Sequence, residues 1–291
     1  MLSADDLTAG SKHPYSGNRI VLTSKHEKLR LIKPAFDQIV GCELFEINLD
    51  TDQLGTFSGE IERLAPPRET AIQKARLGMN ATDSTLGIAS EGLVGPDPLI
   101  PFIHSNIEHL VLIDDENEIV ISEVYRSFEI SVATVTVAPG IDINDFLQKA
   151  DFPKHGLIVR PNIENKSNCI KGISDLGHLL DAIQISSKLS SDGLVVIESD
   201  LRASHSPSRQ KNIQEVAKLL ATRIAQLCPE CQIPGWGRIG YIQGLNCSEC
   251  GLENPGAIRQ EQLGCAKCDH IALGKVLAVA LEPAHCEFCN P

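Results

Sequence analysis

Aromatic residues are scarce: Phe, Tyr and Trp make up 4% of the 291 positions, and there is a single Trp. A core in this chain must rest on Ile, Leu, Val and Ala. A basic excess is also missing. Lys and Arg number 26 against 38 Asp and Glu, giving a formal charge of −12 and a pI near 5.2. Such a chain has no field for gathering nucleic acid, and an anionic ligand would need locally placed Lys and Arg. Long apolar runs are absent too: the most apolar stretches, around Leu110–Ile113 and Val276–Leu281, are far too short to cross a bilayer. The opening Met1-Leu2-Ser3-Ala4-Asp5-Asp6 has neither the cationic head nor the apolar run of a secretory signal. The expectation is a cytoplasmic protein. No Gly-rich phosphate loop and no internal repeat apart from cysteine pairs is found.

What the chain does have is cysteine, and it is unevenly placed. Cys42 and Cys169 are isolated, whereas Cys228/Cys231, Cys247/Cys250, Cys265/Cys268 and Cys286/Cys289 form four Cys-x-x-Cys pairs separated by 15, 14 and 17 residues. Each pair can present two thiolates from one tight turn, and two turns complete a tetrahedral zinc site. Pro229 and Gly251 are turn formers at these knuckles. Eight thiolates close two sites and leave no coordination position for a catalytic water, so the metals are expected to be structural. Chain proximity favours a nested arrangement, pair two with pair three and pair one with pair four; a cross-braced arrangement of alternating pairs remains open. His270 and His285 lie beside the ligand cysteines and could substitute for one, but are expected to be surface or supporting groups. The module carries seven acidic against four basic residues, which argues against phosphate-backbone binding.

Hydropathy patterning divides the rest. Residues 1–17 lack periodicity and read as a mobile leader, 18–227 as an α/β domain, and 228–291 as the two-zinc module. Strands are expected at Arg19–Thr23, Cys42–Ile47, Thr85–Ser90, Gly156–Arg160 and Leu194–Glu198, with a hairpin of His109–Ile113 and Glu118–Phe128, and Ser131–Val137 continuing the same sheet. Apolar residues at helical spacing mark helices at Lys28–Val40, Arg68–Ala81, Asp142–Ala150, Asp175–Leu189 and Ser206–Leu227. Strands alternating with helices around a hairpin predict a three-layer α/β domain with a mixed central sheet.

Four segments concentrate chemistry where strands end or helices begin. Thr23-Ser24-Lys25-His26-Glu27-Lys28 joins the first strand to the first helix, a place where an anion can meet backbone N–H groups and the helix dipole. Thr51–Arg63 holds Glu60 and Glu62, and the helix that follows holds Glu69, Gln73 and Lys74; a carboxylate beside a Lys suits a divalent ion and the phosphates it bridges. Ala89-Ser90-Glu91-Gly92 ends an apolar strand with an acid. Glu198–Arg209 crowds Asp200, Arg202, His205 and Arg209 between a strand and a helix. Each admits an ordinary reading as well: a capped helix start, a surface Glu/Lys helix or a salt-bridged loop.

The segments around Lys28, Glu69-Thr70-Ala71-Ile72-Gln73-Lys74-Ala75 and Ala89–Gly92 resemble, in that order, motifs of the inosine/xanthosine triphosphate pyrophosphatase-like superfamily. Thr70 stands for Asn in the helix motif, Lys25 for Asn in the opening turn and Glu91 for Asp at the strand end. The chain from Asp52 to the final Cys-Asn-Pro also resembles a bacterial family known as a domain of unknown function, similar in having an Arg-Ala motif before a helix and then the cysteine pairs. The first resemblance implies an inosine triphosphatase-like fold and a magnesium-dependent nucleotide or phosphoanhydride hydrolase. In it, Lys28, Lys74, Arg202 and Arg209 would hold phosphates, Glu69 and Glu91 would coordinate magnesium, and Glu60 or Glu62 would be an accessory acid. The alternative on the same fold is a non-catalytic nucleotide- or anion-binding protein, or a protein-interaction scaffold. Expected partners are thus a nucleotide-like anion and two structural zinc ions, with homo-oligomerisation left open.

Overall fold

The computed structural model describes residues 13–25, 27–55, 61, 63–163 and 168–291. A five-stranded mixed sheet is built from β1 (Arg19–Thr23), β2 (Glu43–Ile47), β3 (Leu86–Pro96), β4 (His104–Asp114) and β5 (Ile119–Ser127), in the order β2-β1-β3-β4-β5. β2, β1 and β3 run parallel, and β3, β4 and β5 form an antiparallel meander. β1 is buried along nearly its whole length because helices cover both of its faces.

Alternation along the strands assigns the two faces. Ile20, Leu22, Ile88, Leu110 and Leu112 pack against α1 (Leu29–Ile39) and α5 (Pro207–Ala225). Val21, Ala89, Val111 and Ile113 pack against Ala71, Ala75 and Met79 of α2 (Pro67–Thr82). The link from β1 to β2 therefore passes over one face and the link from β2 to β3 over the other. That makes the ends of β1 and β3 a topological switch point.

The sheet does not continue through residues 131–137 as expected. β6 (Thr134–Val137) instead pairs with β9 (Val195–Ser199) in a separate four-stranded sheet, order β6-β9-β7-β8, with β7 at Leu157–Pro161 and β8 at Ile170–Ile173. All its pairings are antiparallel. Its core of Leu157, Val159, Ile173, Val195 and Ile197 is covered by Leu179, Ala182 and Ile183 of α4 (Leu176–Leu189) and by Phe146 of α3 (Asn144–Lys149). A strand of four residues carries no record of which edge it will join, and the hairpin before it gave no reason to look elsewhere.

Residues 13–17, read as part of a leader, form a turn anchored to the main sheet. Tyr15 is buried at 3% exposure and donates its hydroxyl to Asp114 Oδ2 at 2.5 Å. Among the described residues no helix is long and apolar enough to cross a membrane.

Phe36 of α1 is fully buried in the layer between that helix and the sheet. Phe36→Ala should lower the unfolding free energy by about 3–5 kcal/mol. Denaturant titration checks this, the midpoint moving with little change in slope.

Candidate functional site

The cleft lies where the parallel strands stop. Thr23, the last residue of β1, pairs with Ala89 on β3 and Ile47 on β2, so Ser90 and Glu91 project just beyond the end of β1. Thr23, Ser24, Lys25, Lys28, Thr51, Asp52, Gly55, Lys74, Ser90, Glu91 and Arg209 together line a narrow cleft with about 30 Å³ of room. Ser90 and Glu91 point to opposite faces of β3 by strand alternation. The cleft therefore gathers Lys28 and Arg209 from the α1/α5 face and Lys74 from the α2 face.

Arg209 enters from the first turn of α5 and is 2% exposed. Its Nε donates to Glu108 Oε1 at 2.6 Å and its Nη1 to the Leu201 carbonyl at 2.8 Å. Glu108, on β4 and fully buried, also accepts from Asn106 Nδ2 at 3.0 Å, and Asn106 in turn accepts from Asn212 Nδ2 at 2.7 Å. Gly92 faces this pair across the β3–β4 ladder, where a Cβ would collide with the Arg209 guanidinium and the Glu108 carboxylate. The guanidinium is thereby fixed before any ligand arrives.

Lys28 is 8% exposed and donates to Ser90 Oγ at 2.9 Å. No carboxylate among the described residues lies within ion-pair distance of it. Burial, reinforced by the nearby Arg209 charge, brings its ammonium down to about 8. Glu91 lies differently. Lys74 Nζ bonds its Oε2 at 2.5 Å, and Arg63 bonds its Oε1 and also the Gly92 carbonyl. Burial works to raise the Glu91 carboxyl, but Lys74, Arg63 and Lys28 outweigh it and hold it below its ordinary value. Lys25 pairs with Asp50 at 3.1 Å and with Asp52.

Of the residues named from sequence, Lys28, Lys74, Glu91 and Arg209 line this cleft and two others do not. Glu69 is half-exposed and pairs with Arg68 at 2.8 Å on the outer side of α2. Arg202 is held by Asp200, whose carboxylate takes its Nε and Nη2 at 2.9 and 2.6 Å. Glu60 and Glu62 lie outside the described residues. Arg63, Asn106 and Glu108 had not been singled out. Glu108 left a signal, since it is a charge on the same face of β4 as the apolar Leu110 and Leu112.

The cysteine pairs form two clusters whose sulfurs lie within 4.8 Å of one another: Cys228, Cys231, Cys265 and Cys268 in one, Cys247, Cys250, Cys286 and Cys289 in the other. The Cys228–Cys268, Cys231–Cys265, Cys247–Cys289 and Cys250–Cys286 sulfur pairs are 3.8, 3.5, 3.8 and 3.7 Å apart. A tetrahedral ion with metal–sulfur bonds near 2.3 Å places sulfurs about 3.8 Å apart, so each group could hold one metal ion and the set is consistent with zinc. Backbone donors support the thiolates: Glu249 N–H and Lys267 N–H point at Cys247 and Cys265 sulfurs. Burial works to raise the Cys286 thiol, but the Phe288 and Cys289 N–H groups and the Asn254 amide bring it down to about 6. Gly251 takes the left-handed φ of +73° that lets the second knuckle close. His270 is not in either cluster; it stacks on Trp236 at 5.1 Å between ring centres.

The arrangement is cross-braced, not nested. β10 (Gly237–Asn246), β11 (Glu253–Gly264) and β12 (Ile271–Val276) form an antiparallel meander. The turn between β10 and β11 carries pair two and the turn between β11 and β12 carries pair three. β11 separates them by roughly 40 Å. Pair one, before β10, falls beside pair three, and pair four, after β12, falls beside pair two. Strand direction overrides chain proximity.

An α/β unit with a buried cationic cleft, followed by a two-centre four-cysteine module, is the class of protein that these features define. The family described as Domain of unknown function (DUF6671) matches residues 74–291, and the chain belongs to it. Lys74, Ser90, Glu91, Arg209 and all eight clustered cysteines fall inside that match, while Ser24, Lys25, Lys28, Thr51 and Asp52 precede it. No curated protein shows significant similarity to the chain.

Elemental analysis should find two metal ions per chain. A Cys231→Ser, Cys268→Ser variant should retain one, because it empties only the first cluster. A nested pairing would disturb both.

Proposed function

We propose that the cleft at the ends of β1 and β3 binds the phosphate groups of a small anionic molecule, a nucleotide or related phosphoanhydride. Lys28 carries this reading. Among the described residues its ammonium bonds only the Ser90 hydroxyl, with Glu91 and Glu108 acting at longer range, and an anion bridging Lys28, Lys74 and Arg209 would compensate it further. Among the described residues four cationic side chains line the cleft, Lys25, Lys28, Lys74 and Arg209, against the two carboxylates Asp52 and Glu91. The hydroxyls of Ser24, Thr51 and Ser90 add neutral donors suited to phosphate oxygens. This concentration lets an acidic protein take an anion locally. The resemblance of the Lys28, Glu69–Ala75 and Glu91 segments to nucleotide pyrophosphatases supports a nucleotide-class ligand.

Among the described residues, binding without turnover fits the carboxylates better than hydrolysis. A magnesium-assisted attack needs an acid free to hold the metal. Glu91 is engaged by Lys74 and Arg63, Asp52 by Lys25, and Glu108 by Arg209. The four-cysteine module then serves as a metal-held structural unit, its first centre packed beside the main sheet through Ile233, Ala266 and the Lys267 bond to the Asn117 carbonyl at 2.5 Å.

Pyrophosphate, ADP and ATP should raise the melting temperature. At one hundred times Kd the gain is about 2.7 kcal/mol, or roughly 4–5 °C for a chain of this length. Lys28→Met should abolish that shift while stabilising the ligand-free protein on the order of 1–3 kcal/mol, since it removes a buried charge. Affinity should fall as pH rises through about 8, where the Lys28 ammonium of the free protein gives up its proton. Release of phosphate or pyrophosphate with Mg²⁺ present would replace the binding reading with the catalytic one. The absence of any shift with all three ligands would defeat both.

A further inference from the structure

Ser208 and Arg209 are neighbours at the start of α5, but they serve different cavities. Arg209 turns into the anion cleft, whereas Ser208 lines a separate open cavity of about 510 Å³ with Asp151, His155, Lys154, Lys211, Phe128, Ile130 and Pro207 among its walls. His155 joins two of these groups. Its Nδ1 lies 2.9 Å from Asp151 Oδ2 and its Nε2 lies 3.0 Å from Ser208 Oγ. The imidazole is 3% exposed, so its orientation is fixed by packing between the helix start and the second sheet.

The tautomer follows from a third contact. The Ser208 backbone N–H points at His155 Nε2 at 3.3 Å, and an amide can only donate. Nε2 is therefore the unprotonated nitrogen, and Nδ1 carries the proton that Asp151 accepts. With Nε2 as acceptor, the Ser208 hydroxyl donates to it. Acid, imidazole and hydroxyl thus stand in the order and protonation that activate a serine.

We propose that Asp151, His155 and Ser208 form a nucleophilic serine site acting on small carboxylic esters. Ser208 Oγ adds to the ester carbonyl carbon while its proton passes to His155 Nε2. The ester C–O bond breaks, and the departing alkoxide takes that proton as the alcohol. Water, deprotonated by the same nitrogen, then cleaves the acyl–Ser208 bond, releasing a carboxylic acid and restoring the hydroxyl. Asp151 is a positioning residue, holding the ring and stabilising the imidazolium. The start of a 19-residue helix favours the negative charge that develops beside Ser208. Phe128, Ile130 and Pro207 give an acyl group an apolar wall. Lys154 and Lys211 at the rim are paired with Asp151 and Glu129 at 3.2 and 3.0 Å, so the wall facing the acyl group is the apolar one.

The test uses the full-length metal-loaded protein and an alkyl fluorophosphonate, whose phosphorus Ser208 Oγ would attack with loss of fluoride. One adduct mapped to Ser208 is expected, and none in Ser208→Ala. His155→Ala should label on the order of 100-fold more slowly. Asp151→Asn should label more slowly too, with the midpoint of its pH–rate profile moved to lower pH, a change that a merely structural contact would not produce. If wild-type protein carries no adduct while a serine hydrolase in the same tube does, or if the adduct maps elsewhere, the proposal fails and His155 is a helix cap. Should a histidine variant melt below the assay temperature, the position of the wild-type adduct decides alone. Phosphate-ligand binding at Lys28 and Lys74 is independent of either result.

Discussion

The Arg209–Glu108 pair is the constraint on which the cleft depends. Both groups are withdrawn from water, a costly arrangement unless charge and hydrogen bonds are matched closely. They are matched here by the Leu201 carbonyl behind the guanidinium and by the Asn106 amide beside the carboxylate, with Asn212 completing the chain. Those partners come from β4, from α5 and from the segment leaving β9. The pair therefore sets where α5 begins against the main sheet, and at the same point where the second sheet's exit strand meets both.

From that fixed point the two sides of α5 acquire different surroundings. One residue of its first turn meets the ends of the parallel strands, and the preceding residue meets the imidazole that follows α3. Further along the helix, Ile213, Val216, Ala217, Leu220 and Ile224 supply the apolar layer over the sheet. Arg223 then reaches the Ser122 and Gly235 carbonyls at the entry to the cysteine module. One helix thus sits between three units, with Arg209 at its start, hydrocarbon in its middle and Arg223 near its end, where a cation suits the helix dipole.

Much of this was legible in the sequence, and the exceptions share a cause. β1, α1, β2, α2 and α5 follow from periodicity because their apolar positions repeat at the spacing of the element they form. Lys28, Lys74, Glu91 and Arg209 line one cleft, but periodicity did not require it: Lys74 lies in the middle of α2, and crossover topology brings it to the strand ends. β8, with Lys171 and Gly172 in four residues, has too little pattern to register. The sheet that β6 joins was hidden because pairing partners are not written into a short strand. Glu69 misled because helical spacing to Gln73 and Lys74 says nothing about which side of α2 faces the sheet. The cysteine pairing misled for a related reason: spacing counts residues, and an antiparallel meander decides distance.

Each four-cysteine centre embraces part of the chain that the other also embraces, since Cys247 lies between Cys228 and Cys268, and Cys268 lies between Cys247 and Cys289. The two closures interlock like adjacent links. During synthesis neither can shut until the third knuckle has left the ribosome. A single backbone cut between Cys250 and Cys265 opens both at once.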